Sequence, residues 1–266
     1  MTNWMPLNLS PNLYIQIPIS INGQDGLAIL DTGANYSVIS KNFKKKAEVR
    51  TTKNLLVRGA DGAKYHRIAE SLTIEVFGVL QKRIIIVAEL DHLENVDAIL
   101  GTDFIEKMAI EIDYPNRKFR FHNLGGLDYL GSNICSPLEV VNGRFFTSLI
   151  IDEKKYKFLL DTGSNSDLGI VDEELFKNYR PADWSSNLII AKGFHGNDVS
   201  LYPFTLNQVN IGHLEVKDVP AFYINSTSPF PFGKFGVNSI GQKFLLDYKI
   251  IIDPFHRCVY FEEKIN

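Results

Sequence analysis

Aspartate followed by threonine and glycine occurs twice, each time at the end of an apolar run: Leu27-Ala-Ile-Leu-Asp31-Thr-Gly-Ala-Asn35 and Lys157-Phe-Leu-Leu-Asp161-Thr-Gly-Ser-Asn165. A carboxylate at the end of a buried strand is costly unless it is hydrogen-bonded or paired. If the two segments belong to copies of one unit packed about a pseudo-twofold axis, Asp31 and Asp161 meet at that axis. Two touching carboxylates do not both ionise readily, so the pair shares one proton. It then holds an acid and a base at the same pH, which is what activating a water and protonating a departing amine require. Thr32 and Thr162 offer hydroxyls that can bond across the axis. Gly33 and Gly163 remove side chains where two backbones approach closely.

The elements that must position these residues repeat along with them. Gly59-Ala-Asp-Gly62 matches Gly193-Phe-His-Gly196, Gly78 matches Gly212, and Ile99-Leu-Gly101-Thr-Asp-Phe104 matches Ser239-Ile-Gly241-Gln-Lys-Phe244. The offset between matches changes only in steps, as expected for two copies of one unit with small insertions in the second. The largest insertion falls in the Ser-, Pro- and Gly-rich stretch Asn225 to Asn238, which reads as a loop. The expected organisation is a first domain over 1–125, a linker over 126–137 with its glycines and a proline, and a second domain over 138–266. Within each copy the apolar period is mostly two, as in Tyr14-Ile-Gln-Ile-Pro-Ile-Ser-Ile, and Leu72 to Val76, Arg83 to Val87 and Lys118 to Phe121 read similarly. Short helices are expected at Lys41–Ala47, Asp103–Met108, Glu173–Tyr179 and Lys243–Leu246. Many short strands separated by turn residues predict an all-β architecture of barrel or sandwich type. Gly101 and Gly241 are expected where a strand passes under each aspartate loop.

As a set, these motifs resemble the aspartic proteases of the pepsin and retropepsin kind. Asp31-Thr-Gly-Ala34 with Ser37-Val-Ile39, followed by Ala98-Ile-Leu-Gly-Thr-Asp-Phe104, looks like the retropepsin-like unit, and the resemblance covers most of both copies. It implies two pseudo-twofold-related β-barrel domains with the active site between them. It implies peptide-bond hydrolysis in extended polypeptide by a water nucleophile, without metal, cofactor or covalent intermediate. Asp31 and Asp161 would be the catalytic pair, with Thr32, Gly33 and Ala34 and Thr162, Gly163 and Ser164 as the supporting loops. Retroviral members use two identical chains; both aspartates lie in this one, so a monomer that cuts between apolar residues is expected. Flaps, hairpins that close over bound peptide, would match Val57–Tyr65, with Gly59, Gly62 and Tyr65, and Lys192–Asn197, with Gly193, Phe194 and Gly196. The plain alternative is two surface turns. Ser164 can donate to its aspartate and Ala34 cannot, which predicts Asp161 as the more acidic member. Two other functions fit a carboxylate pair: a catalytically silent relative binding extended peptide by strand pairing, and an enzyme of another class, such as a glycosidase.

Composition bounds the rest. With 45% hydrophobic and 22% charged residues in 266, a substantial core is available. A net charge of -3 excludes the strongly basic balance of a nucleic-acid-gripping protein. No apolar run is long enough to span a bilayer. The N-terminus does not read as a signal peptide, so the protein is cytoplasmic or its leader has been removed. An inhibitory pro-segment of the pepsin kind has no room before Asp31. Cys135 and Cys258 form one bridge or none; core burial makes none needed. His66, His92, His122, His195, His213 and His256 show no metal-ligand spacing and read as solvent-facing or loop residues. Lys44-Lys-Lys46 reads as a solvated helix face, and Asp113 and Asp253 as turn-shaping residues. Asn35-Tyr-Ser37 and Asn225-Ser-Thr227 match the glycosylation pattern; the first overlaps an aspartate loop and reads as accidental, and Phe230-Pro-Phe232 reads as a loop packing its own aromatics.

Overall fold

The structure is a computed structural model that describes residues 1–128, 130, 135–225 and 236–263. Of the insertion expected over Asn225 to Asn238, residues 226–235, with Ser226, Thr227 and Phe230-Pro-Phe232, lie outside the described residues, as do Tyr129 and residues 131–134 of the linker. Alternation decides the strands. Ile15–Ile21 buries every second residue, so one face packs inward while the other meets solvent. It opens a ring of six strands in the spatial order Ile15–Ile21, Gln24–Leu30, Ala98–Leu100, Val38–Ser40, Val79–Ala88, Gly62–Val76; the last pairs back with the first through Ser20↔Glu75 and Ile21↔Ile74. The second half repeats this ring with Arg144–Ile151, Lys154–Asp161, Ser239–Gly241, Leu168–Ile170, Leu214–Ile224 and Asp198–Ile211, closed by Ile150↔Asn210. The chain is therefore all-β, with two closed six-stranded barrels. The few helices, Lys41–Lys46, Thr102–Ile105, Glu173–Tyr179 and Gln242–Leu245, fall where expected, within a residue or three at their ends.

A third sheet joins the halves. Its strand order is Met5–Pro6, Lys118–Asn123, Met108–Asp113, Tyr248–Asp253, Cys258–Glu263, Cys135–Pro137. At its centre Met108–Asp113 and Tyr248–Asp253 run antiparallel, and Glu111 faces Ile251, its own counterpart in the repeat. The pseudo-twofold axis passes there. Every residue of Met108–Asp113 is buried, so Glu111 brings a charge into the interior. It is matched: Arg120 Nε, His122 Nε2 and Lys249 Nζ approach its carboxylate at 2.5, 2.9 and 2.9 Å. Burial pushes the Glu111 carboxyl up, but the hydrogen bonds from Arg120, Lys249 and His122 outweigh it and hold the group below the ordinary range. Asp113 and Asp253 shape turns as expected, accepting from the N–H groups of Asn116 and of Phe255 and His256.

Two expectations are corrected here. His66 and His122 are buried, one at a hairpin junction and one on Glu111, rather than facing solvent. Cys135 and Cys258 form a disulfide. Core burial does not bear on that outcome; sheet pairing does, because Cys135–Pro137 adds to the edge beside Cys258–Glu263 and sets the two Cα atoms 5.4 Å apart. The bridge closes a loop spanning 123 residues. Replacing both cysteines by serine is expected to lower stability by about 2–4 kcal/mol, read as a lower urea midpoint with a somewhat steeper slope, because the unfolded chain loses its cross-link. A midpoint that does not move would show that the strand pairing alone holds this edge.

Candidate active site

Each Asp-Thr-Gly loop leaves the end of a barrel strand, Gln24–Leu30 in the first half and Lys154–Asp161 in the second. The two loops are locked together by a symmetric set of four hydrogen bonds. Thr32 Oγ1 donates to the Leu160 carbonyl at 2.7 Å, and Thr162 Oγ1 to the Leu30 carbonyl at 2.8 Å. In return, the Thr162 N–H donates to Thr32 Oγ1 and the Thr32 N–H to Thr162 Oγ1, both at 3.1 Å. Both threonines are fully buried. Each hydroxyl thus gives one bond and takes one, which accounts for a hydroxyl residue after each aspartate.

Above this joint the carboxyl groups of Asp31 and Asp161 face each other, each lying against the glycine of the opposite loop. The glycines make the space for this approach: a Cβ on Gly33 would overlap the Asp161 carboxyl, and one on Gly163 would overlap Asp31. Gly101 and Gly241 play the role expected of them, since a Cβ at either would collide with the backbone of Tyr36 or Ser166 beneath the loops. Their neighbours bind those loops: the Thr102 N–H donates to the Ala34 carbonyl at 2.8 Å and the Gln242 N–H to the Ser164 carbonyl at 2.6 Å.

The two carboxyls are not equivalent. Asp31 Oδ1 accepts two backbone N–H groups, from Gly33 at 2.8 Å and Ala34 at 3.1 Å. Asp161 Oδ1 accepts one, from Gly163 at 3.1 Å. Burial raises both groups; the two N–H bonds then limit the rise at Asp31, whereas the facing Asp31 charge drives Asp161 well above the ordinary range. The extra backbone N–H on Asp31 favours its ionised form and so favours Asp161 as the member that keeps the shared proton. This overturns the expectation that Ser164 makes Asp161 the more acidic member. Ser164 Oγ pairs with Ser166 Oγ at 2.8 Å instead, and the loop that gives its aspartate the extra bond is the one with Ala34, through the backbone.

Family models match the chain twice in tandem, one described as "gag-polyprotein putative aspartyl protease" over residues 17–107 and one as "Aspartyl protease" over residues 147–244. The chain belongs to the aspartyl protease family. It is two fused retropepsin-like units, each supplying one Asp-Thr-Gly loop. A comparison with curated proteins returned no match.

Both stretches matching the family's flaps lie at hairpins: Lys53–Gly59 pairs with Gly62–Val76, and Ile189–Lys192 with Asp198–Ile211. The tips meet. Asp61 Oδ2 accepts the N–H groups of His195 at 2.7 Å and Asn197 at 3.2 Å. The Asn197 side-chain amide donates to the Asp61 carbonyl at 3.3 Å. His66 and His195 stack, with Nε2 and Nδ1 3.1 Å apart. Gly193 and Gly59 admit this approach, since a Cβ on Gly193 would overlap Asp61 and one on Gly59 would press on Phe194. Gly62 and Gly196 take positive φ at their turns. Phe194 joins the apolar cluster of the first half around Ile29, Ile86 and Ile99, so one hairpin is pinned onto the opposite barrel. Tyr65 is 69% exposed and lines a cavity beside the helix Lys41–Lys46.

Three residues near this site carried no assignment from sequence. Asp61 ties the hairpin tips. Tyr14 and Arg144 stand at equivalent places in the two copies, each seventeen residues before its aspartate. Burial raises the Tyr14 phenol, and the Asp31 and Asp161 charges raise it further. Arg144 lowers Asp161, and its Nε is buried with no hydrogen-bond partner among the described residues. One side of the pair thus meets a phenol and the other a guanidinium. Arg144→Gln is expected to raise the Asp161 carboxyl further and to move the alkaline limb of the pH–rate profile to higher pH. An unmoved alkaline limb would place Arg144 outside the titrating unit. The departures of the second copy compensate one another: Ser37 Oγ donates to Asp103 at 2.7 Å in the first, while Asp167 pairs with Lys243 at 3.2 Å in the second.

Proposed function

We propose that the chain is an aspartic endopeptidase that hydrolyses extended polypeptide and acts as a single molecule, with domains over 1–125 and 138–266 and a linker over 126–137. The observation that supports it most is the approach of two buried carboxyls, each against the glycine of the other's loop, on loops locked by matching threonines. In this reading a water binds across the pair. Asp31, the ionised member, takes a proton from it as the oxygen attacks the peptide carbonyl carbon. Asp161 gives its proton to the carbonyl oxygen, which forms a neutral tetrahedral diol. The proton on Asp31 then passes to the amide nitrogen, the C–N bond breaks, and a hydroxyl proton returns to Asp161 as the carboxylic acid forms. The balance needs one water and no other reactant. Glycosidase carboxyls stand roughly 5 Å or more apart to admit a sugar between them, whereas each carboxyl here lies against the glycine of the opposite loop, which argues against that chemistry.

The second reading, a relative that binds peptide without cutting it, draws support from the hairpin tips, which Asp61 ties to each other. One assay separates the two: incubation with an unfolded protein mixture from acid to neutral pH, with and without pepstatin. Cleavage that pepstatin suppresses is the expected result. Peptide binding without cleavage would leave the second reading in place, and neither binding nor cleavage would overturn both.

A further inference from the structure

Between the helix Lys41–Lys46 and the hairpin strand Gly62–Val76 lies a cavity of about 370 Å³ whose wall is mostly positive. Lys41, Lys44 and Lys45 line it from the helix, Lys64 and Arg67 from the hairpin, and Glu89 is the one carboxylate on its wall among the described residues. Lys41 engages Glu89. Arg67 holds Thr51 through its side-chain oxygen at 3.2 Å and its carbonyl at 3.1 Å. Lys44, Lys45 and Lys64 have no ion-pair partner among the described residues. Five cations face one anion in a chain whose net charge is -3, so the excess is local. Left unpaired, such like charges repel, and an anion placed among them would relieve that repulsion. The Lys44-Lys-Lys46 run is therefore only in part a plain solvated face.

We propose that this cavity is a binding site for a compact multivalent oxyanion, a small molecule bearing clustered phosphate or carboxylate groups. Its volume falls within the range of small-ligand sites, roughly 300–1,000 Å³, and Tyr65 and Val87 give it an apolar side. The site stands apart from the Asp31–Asp161 pair and does not rest on the peptidase reading. It does share a wall with the hairpin junction. His66 lines it and reaches His195 of the opposite hairpin on its other side. The groups facing His66 are Lys64 on its own strand, Lys41 from the helix, Glu89 from the neighbouring strand end and His195 from across the junction. Burial, then His195, Lys64 and Lys41, hold its imidazole below the ordinary range. A bound polyanion offsets Lys41 and Lys64 and makes protonation of His66 easier; a protonated His66 Nε2 donates to His195 Nδ1, so the bond across the hairpin junction becomes charge-assisted and tightens.

Calorimetric titration of the full chain with tripolyphosphate and with citrate, at low and moderate salt, tests the site. One-to-one binding that weakens as salt rises is expected with one or both probes, and which of them binds more tightly tells phosphate from carboxylate preference. Lys44→Glu with Lys45→Glu should weaken it by about tenfold or more. Lys154→Glu with Lys155→Glu, the same charge change on the second barrel, should weaken it far less. Thermal unfolding of each variant confirms that it is folded. Absence of saturable binding, or equal losses in the two double variants, would overturn the site. In the same complex, NMR titration of the imidazoles should show His66 protonating at higher pH; a His66 titration unmoved by saturating anion would sever the link to the hairpins.

Discussion

Replacing either Asp31 or Asp161 by asparagine lowers kcat for peptide cleavage by about a thousandfold or more, while Asp161→Asn raises thermal stability near neutral pH. The two effects have one origin. An asparagine neither takes the proton of a water nor passes one on, so the acid–base cycle stops whichever partner is lost. The stability change follows from where the proton sits. The Asp161 carboxyl is raised by burial and by the charge of Asp31. A group whose folded pKa is raised gives a contribution to stability that is intact below its unfolded value, here near 3.8, and is lost as pH climbs through the folded value. Asparagine stays neutral throughout, so the gain grows as the solution is made less acidic and disappears in strong acid. Unfolding curves at about pH 3 and pH 7, run beside the cleavage assay, check both halves of the statement. A variant that lost activity and stability together at pH 7 would mean that Asp161 acts by holding the fold. A variant that kept its activity would remove the pair from the mechanism.

The pair was legible in sequence because the fold repeats and the chemistry repeats with it. Asp31 and Asp161, their threonines, and the glycines at 33, 163, 101 and 241 are fixed by backbone approach, and backbone approach leaves a mark in residue type. The period of two in Ile15–Ile21 gave the barrel strands for the same reason, since an inward-facing side chain has little choice. What escaped depends on contacts between distant side chains. Nothing local separates Ser164 donating to Asp161 from Ser164 bonding Ser166, and the backbone bond from Ala34 that biases the pair is invisible in residue type. His122 appeared free because its partner Glu111 lies across a strand pair, and the disulfide appeared optional because its strands meet only once the central sheet assembles. Tyr14 and Arg144 were within reach: aligning the copies on their aspartates puts a phenol opposite a guanidinium at one position. The mark there is a difference between the copies, whereas a search for repeats rewards likeness.

The hydroxyl joint under the aspartates gives the second large effect, this time on stability. Thr32→Val preserves shape and removes one hydroxyl that gives a bond to the Leu160 carbonyl and takes one from the Thr162 N–H. Both of those groups belong to the other half of the chain and are left without a partner in a site with no access for water. Each such group costs about 1–3 kcal/mol, so the substitution is expected to cost about 2–6 kcal/mol, and Thr162→Val should do the same by symmetry through Leu30 and the Thr32 N–H. Because the bonds interlock, the double valine variant should cost less than the two single changes added together: once one hydroxyl is gone, the loops relax and the second has less to hold. Activity should fall as well, by about a hundredfold, since the aspartates ride on the loops that these bonds align. Thr32→Ser keeps the hydroxyl and should restore most of both quantities. That rescue is the decisive arm. If serine fails where threonine succeeds, the joint is held by the packing of the threonine methyl and not by its hydrogen bonds, and the explanation for a threonine after each aspartate would have to be rebuilt on shape.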